Sequence, residues 1–368
     1  MRVIKRVGLL AVVVLLALVL AGCGSGGSAS GGSSGGGSKA SSGGKQASAG
    51  GNSKVKPAMN TDVGGLGDKG FNDAAYKGLK EAKKKLGVKI EVLQSSSPTD
   101  YQSNLSQLAS SGYNPVYAIG FLQSDALKQV AKQYPKTNFA IVDSVVKAPN
   151  VASLVFKDNE GAYLAGVVAG DMTQIKTPYT NPKTKVVGFI GGQNSPLIRS
   201  FQAGFDAGVK SVCPDCKVIN QYVGSTPDAF NDPATAKQIA LNQISQGADI
   251  VYPAAGNSAS GAFEAAREKH VFAIGVDQDQ APQFPKDPIL TSTVKGVNNA
   301  VFQTIEDAAK GKFPAGKTIE FGLKNGGYKL APFHRFSNLV PQKVKNDLKK
   351  AREGIISGKI KVPTTPSK

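Results

Sequence analysis

From Val55 onward, short apolar runs alternate with longer stretches in which apolar positions recur every three or four residues. The first pattern reads as buried strands, the second as amphipathic helices. Strands are expected at 89–93, 116–119, 138–142 and 153–156, separated by helices near 74–86, 101–110 and 125–133. A helix of small residues then runs from about 158 to 172, rich in Ala and Gly for close packing, and the alternation restarts. Strands at 186–190, 217–222, 250–252 and 272–274 are interleaved with helices near 196–210, 233–246 and 259–269. A further strand at 289–294, a helix near 298–310 and a basic helix near 341–356 complete the chain. Such alternation with short connections predicts an α/β protein with mostly parallel sheets, and two similar sets predict two α/β lobes.

One loop stands out at the first strand-to-helix turn, Gly64-Gly-Leu-Gly-Asp-Lys-Gly-Phe-Asn-Asp73. Glycines allow the sharp turn, Asn72 has the chemistry of an N-cap, and Asp73 suits the positive end of the helix dipole. Phe71 is offered at the lip of the loop between Asp68 and Asn72. The same spacing also allows Phe71 and Tyr76 to form a hydrophobic staple, which would bury Phe71 for structural reasons alone. Neither a dinucleotide fingerprint nor a P-loop is present.

Ahead of this, Arg2, Lys5 and Arg6 precede an uncharged run at 7–21, too short for a membrane span and of the form of a secretory leader. It ends Leu20-Ala21-Gly22-Cys23, which resembles the lipobox of bacterial lipoproteins, so residues 1–22 are expected to be removed and Cys23 to carry lipid. Residues 24–54 are almost all Gly, Ser, Ala and Asn with a few Lys, a composition expected to form a disordered tether.

The net charge of +18 includes three cations of the leader. The remaining lysines are scattered over helix faces, as at Lys77, Lys80, Lys83, Lys84 and Lys85, without aromatic-interleaved basic motifs, so an anionic envelope is favoured over nucleic acid. Beyond Cys23 the chain has only Cys213 and Cys216, in Cys-Pro-Asp-Cys between a helix and a strand. In an oxidising exterior this spacing suits a small structural disulfide better than a redox site, and two histidines are too few for zinc. No metal or cofactor is expected.

Carboxylates fall where the pattern places strand ends: Asp68 after the first strand, Asp143 in Phe139-Ala-Ile-Val-Asp143, and Asp277 in Phe272-Ala-Ile-Gly-Val-Asp277. Lys295 closes Leu290-Thr-Ser-Thr-Val-Lys295 similarly, and Phe230 offers a second loop aromatic. Each aspartate alone reads better as a turn or capping residue than as a ligand contact. Together, at the carboxyl edge of open α/β sheets, they converge on one cleft.

Asp68-Lys-Gly-Phe-Asn72, Gly161-Ala-Tyr-Leu-Ala-Gly166, Val187-Gly-Phe-Ile-Gly-Gly192, Phe201-Gln-Ala-Gly-Phe-Asp-Ala-Gly208 and Ile274-Gly-Val-Asp-Gln-Asp279 resemble the basic membrane protein family of bacterial lipoproteins, the PnrA-like substrate-binding proteins of nucleoside ABC transporters. The likeness extends from about Lys56 to Ile360. It implies the type I periplasmic-binding-protein fold with two Rossmann-like lobes and a three-strand hinge, lobe one formed by 55–157 plus 293–322 and lobe two by 158–292 plus 323–368. It also implies a monomer that captures purine nucleosides outside the cell and hands them to a permease and its ATPase subunits. By position, Phe71 and Phe230 are implied to sandwich the base, Asn72 and Asp143 to read its edge, and Asp277, Lys295 and the Gly256 backbone to hold the ribose. Asp68 is implied to shape the first loop and to touch the ligand.

Other classes are weighed on the residues themselves. A nucleoside hydrolase would cluster its aspartates around a metal, whereas these are spread over both lobes, and neither histidine lies in a predicted cleft loop. A ribose-type sugar-binding protein of the same fold, or a ligand-sensing surface lipoprotein, is the stronger alternative.

Overall fold

The computed structural model describes residues 55–367. The leader, Cys23 and the tether expected at 24–54 lie outside the described residues.

Two six-stranded sheets repeat one plan. The first contains β1 (Ala58–Asn60), β2 (Glu91–Leu93), β3 (Val116–Ile119), β4 (Phe139–Val142), β5 (Val151–Phe156) and β11 (Thr318–Phe321), in the order β11-β5-β4-β3-β1-β2. The second contains β6 (Val186–Gln193), β7 (Lys217–Gly224), β8 (Ala248–Ala254), β9 (Phe272–Asp277), β10 (Ile289–Lys295) and β12 (Tyr328–Leu330), in the order β12-β10-β9-β8-β6-β7. Every neighbouring pair is parallel except β10 with β12. Central strands such as Phe139-Ala-Ile-Val are buried on both faces, which is why they read as continuous apolar runs rather than alternating ones.

Helices α1 (Phe71–Leu86), α2 (Asp100–Ser110) and α3 (Ser124–Gln133) connect the first set. Helices α4 (Asp158–Met172), α5 (Pro196–Val212), α6 (Pro233–Ser245) and α7 (Ala259–Lys269) serve the second, and α8 (Val297–Ala309) and α9 (Gln342–Ile356) follow. Their starts are chemically marked. Ser195 accepts from the Ile198 amide before Pro196, and Asp232 accepts from the Thr235 amide before Pro233. At the start of α1 the expectation is corrected: the N-cap is Gly70, and Asn72 lies within the first turn. Asp68 does the capping from two residues upstream, accepting from the amides of Gly70, Asn72 and Asp73 at 2.9, 2.8 and 3.1 Å. With that frame Phe71 is the first helical residue, and the staple with Tyr76 has no N′ position to occupy.

Chain crossings between the sheets follow β5, β10 and β11. Pairing shows β10 within the second sheet along its length, as far as Lys295 paired with Tyr328, so the second crossing follows Lys295 rather than lying at 293. Strands β11 and β12, only four and three residues long, are absent from the sequence expectations. The Cys213–Cys216 disulfide is formed, and both sulfurs sit in the apolar core between the end of α5 and β7.

Close packing of α4 on α5 is written in glycine. A Cβ on Gly204 would stand 2.2 Å from the Asn159 carbonyl oxygen, one on Gly208 2.1 Å from that of Tyr163, and one on Gly166 2.2 Å from that of Phe205. Backbone cannot yield as a side chain can, so Gly204→Ala is expected to destabilise the protein by about 1–3 kcal/mol through forced separation of the helices. Urea unfolding of the variant against wild type measures this; equal midpoints would mean that the helices part freely.

Candidate functional site

The carboxyl ends of both sheets face a cavity of about 590 Å³, part of it open to solvent. Asp68, Phe71, Asn72, Asp143, Phe230, Gly256, Asp277 and Lys295 all line it. Asp143 and Asp277 follow or end the topologically matching strands β4 and β9, and both hold a left-handed backbone, with φ of 65° and 67°. That conformation is uncommon for residues other than glycine, though Asp tolerates it better than most. It turns each chain sharply at the sheet edge.

Among the described residues Lys295 is the one cation of the cavity wall. It is 1 % exposed, and its ammonium lies 2.6 Å from Asp143 Oδ2 of the first lobe and 2.8 Å from Asp158 Oδ1. Two of its three protons are thereby directed at carboxylates, leaving one for a ligand. Burial alone would lower the Lys295 pKa, but Asp143, Asp158 and Asp277 together hold it above its ordinary value, so the group stays charged. The carboxylates outnumber it. Burial pushes Asp277 up to about 7 against the pull of Lys295, and Asp62 up to about 6 against hydrogen bonds from Asn72 and Gly64. Asp143 is likewise raised by burial, with Lys295 pulling back and Asp158 pushing further.

These carboxylates keep oxygens unused. Asp143 Oδ1 is buried without a hydrogen-bond partner, and among the described residues the Asp277 side chain takes none although it is only 8 % exposed. Asp62 Oδ1 accepts from the Gly64 amide and Asn72 Nδ2, while Oδ2 turns toward Gly120 beside the Phe71 ring. A buried acceptor without a donor costs free energy, so the site is built for a ligand rich in N–H or O–H groups.

Aromatic rings wall the same space. Phe71, Phe121 and Phe230 line it, the last two edge to face with centroids 6.1 Å apart across the lobes. Gly192 leaves room for the Phe230 ring, since a Cβ there would come within 2.4 Å of it, and Gly256, at φ 56°, brings its backbone against Phe230. The entrance is clasped as well: Gln278 Nε2 donates to the Gly70 carbonyl at 2.9 Å and Gln280 Nε2 to that of Lys69 at 3.0 Å, both across the cleft.

Asn72, expected as a base-edge reader, lines the cavity and also braces its first loop. Its amide donates to Asp62 Oδ1 at 2.7 Å and Asp68 Oδ2 at 3.1 Å, and its carbonyl accepts from the Asp62 amide at 3.2 Å. Both amide protons are engaged in holding the loop. What Asn72 presents is Asp62, a carboxylate held in place by the residue that was expected to do the reading.

Across residues 55–366 the chain matches the family model described as ABC transporter substrate-binding protein PnrA-like. It belongs to that family. The chain is 40 % identical to the ABC transporter nucleoside-binding protein BmpA of Lactococcus lactis subsp. cremoris, over 84 % of this chain and 89 % of the relative. It is 32 % identical to basic membrane protein A of Borreliella afzelii, over 82 % and 89 %. A solved ABC transporter solute-binding protein of Aeropyrum pernix K1 superposes with a TM-score of 0.75 at 27 % identity, covering 84 % of this chain and 94 % of that one. The architecture is thus the type I periplasmic-binding-protein fold, and this PnrA-like protein is a transport substrate-binding protein rather than an enzyme. No helix among the described residues is long and apolar enough to cross a membrane.

Asp62 and Phe121 escaped the sequence reading of the PnrA-like chain. Both obey the rule that found Asp143 and Asp277: Asp62 lies just past β1 and Phe121 just past β3. A first strand read over 55–63 includes Asp62, and Phe121 falls just beyond the strand expected at 116–119.

Raised carboxylates carry a stability cost with a definite sign. An aspartate whose folded pKa is elevated contributes stability below its unfolded pKa near 4, and that contribution is lost as pH rises through the folded value near 7. In the ligand-free protein, stripped by unfolding and refolding, Asp277→Asn is therefore expected to match wild type near pH 4 and exceed it by about 2–4 kcal/mol at pH 8. Denaturant unfolding at both pH values checks this; a constant difference would show that Asp277 is not held against its ionisation.

Proposed function

We propose that this protein is the lipid-anchored, extracytoplasmic capture subunit of a nucleoside ABC importer. It takes purine nucleosides such as guanosine, inosine and adenosine into the inter-lobe cleft and delivers them to a membrane permease driven by its ATPase subunits. One observation carries the ligand class: a cleft that combines aromatic walls with unused carboxylate oxygens from both lobes. A purine nucleoside offers the complement, a flat face for stacking, N–H donors on the base and hydroxyl donors on the ribose. The name of the Lactococcus relative, a nucleoside-binding protein, supports the same class.

In this reading Phe71 and Phe230 flank the base, with Phe121 at its edge. Asp62 and Asp143 accept from the base, Asp277 accepts from the ribose, and the third Lys295 proton donates to it. The Gly256 backbone allows close approach. Asp68 and Asn72 fix the first loop. Anchoring through Cys23 rests on the leader and lipobox; labelling of the expressed protein with a fatty acid, lost in Cys23→Ser, tests it.

Calorimetric titration of refolded protein with inosine, guanosine, adenosine, cytidine, uridine and D-ribose decides the ligand. Binding at or tighter than about −8 kcal/mol to purine nucleosides, without response to ribose, is expected. Ribose binding alone would reassign the cleft to sugars. Phe71→Ala should weaken purine nucleoside binding by about 1–3 kcal/mol while leaving ribose-specific contacts intact, the amount a lost base stack contributes. Asp277→Ala should remove the preference for a nucleoside over its free base.

Affinity should also depend on pH. Donors on the ligand favour ionised acceptors, and Asp62 and Asp277 ionise in the empty cleft only near 6 and 7. Binding is therefore expected to weaken about tenfold or more from pH 7.5 to 5.5. Flat affinity over that range would remove these carboxylates from ligand contact.

A further inference from the structure

Asp158 does not line the ligand cavity, yet it sits where all three inter-lobe crossings meet. It is the first residue of α4, directly after the crossing that leaves β5 through Lys157. Lys295 is the last residue of β10, directly before the second crossing at Gly296. Tyr328 opens β12, after the third crossing from β11. Asp158 Oδ1 accepts from Lys295 at 2.8 Å and from the Tyr328 hydroxyl, so one oxygen gathers a group from each of the other two crossings. The neighbouring contacts are equally specific. Phe156 stacks on Phe321 with centroids 5.0 Å apart, and Gly161 leaves the space that the Tyr328 ring fills, a Cβ there lying 2.4 Å from it. The amides of Gly296 and Gly327 donate to the carbonyls of Gly327 and Gly322.

The other end of the relay is in the cleft. Lys295 reaches past Asp158 to Asp143 Oδ2 at 2.6 Å, and Asp143 belongs to the loop after β4, in the opposite lobe. A rotation of the lobes about these crossings would move Asp158, Lys295 and Tyr328 relative to Asp143. The pair Lys295–Asp143 is made in the closed arrangement only if the ammonium is held toward the first lobe.

We propose that Asp158 is a positioning residue for closure: by fixing Lys295 at the hinge it secures the cross-lobe contact with Asp143 and so sets how long a closed, loaded cleft persists. This rests on the nucleoside reading of the same cleft. Asp158 touches no ligand; it acts through Lys295, and its effect is expected in release rather than capture, because encounter occurs with the open form.

The test uses the full chain with inosine as probe. Asp158→Asn preserves shape and an acceptor while removing the charge, and Tyr328→Phe removes only the hydroxyl. In stopped-flow or biolayer measurements Asp158→Asn should raise the dissociation rate constant at least tenfold with the association rate constant within threefold of wild type. Tyr328→Phe should give a smaller rise of the same kind. Small-angle scattering should show a smaller inosine-induced decrease in the radius of gyration for Asp158→Asn than for wild type. A purely structural role would instead lower the unfolding temperature of the empty protein with dissociation unchanged in both variants, and would overturn the proposal. Should Asp158→Asn not fold, an unaltered dissociation rate in Tyr328→Phe would overturn it as well. If the wild type binds no nucleoside, the nucleoside reading fails and takes this inference with it; if the wild type binds and the variants release at its rate, this inference fails alone.

Discussion

A buried ammonium, that of Lys295, holds together the carboxylates at the centre of the cleft. Lys295 contacts Asp143 from one lobe and Asp158 from the hinge, with Asp277 close enough to sustain its charge. Taking these ions out of water costs several kcal/mol each, and mutual attraction offsets that only when geometry is good. The geometry is supplied by strand ends. Lys295 terminates β10 and Asp277 terminates β9, so sheet pairing fixes their separation before any side chain is placed. Asp143 approaches from the other sheet, and the salt bridge therefore requires that the lobes be together.

The excess of carboxylate over ammonium leaves the cleft rich in acceptors. Unused acceptors in a low-dielectric space disfavour anions and apolar molecules and favour groups that donate hydrogen bonds. Aromatic walls add a preference for flat groups without demanding a particular hydrogen-bond pattern. Specificity then resides in where the carboxylates stand, which is determined by backbone: left-handed conformations at Asp143 and Asp277, and a first loop cross-braced by Asp68 and Asn72.

Much of this was legible in the chain. Apolar runs of buried parallel strands, the Pro-led helix starts at Pro196 and Pro233, and aspartates closing such runs are local signals, and Asp143, Asp277 and Lys295 were found by them. The family resemblance and the structure agree on the cavity that these residues share. What escaped depends on long-range pairing. Strand β12 is three residues whose extended form is fixed by β10, and the Lys295–Asp158–Tyr328 cluster joins positions far apart in sequence. Asn72 reads in sequence as an N-cap, whereas its bonds to Asp62 and Asp68 exist only once the loop is folded.

The two sheets share one strand order, with β4 matching β9 and β5 matching β10. Asp143 and Asp277 therefore stand at equivalent corners, and to that extent the cleft would present the same face to both ends of a ligand. The repeat is broken at the adjoining strand, where β5 ends in Phe156 and β10 ends in Lys295. The exchange of a benzene ring for an ammonium at matching strand ends is one of the places where a near-twofold container acquires a direction, so its two ends are not interchangeable.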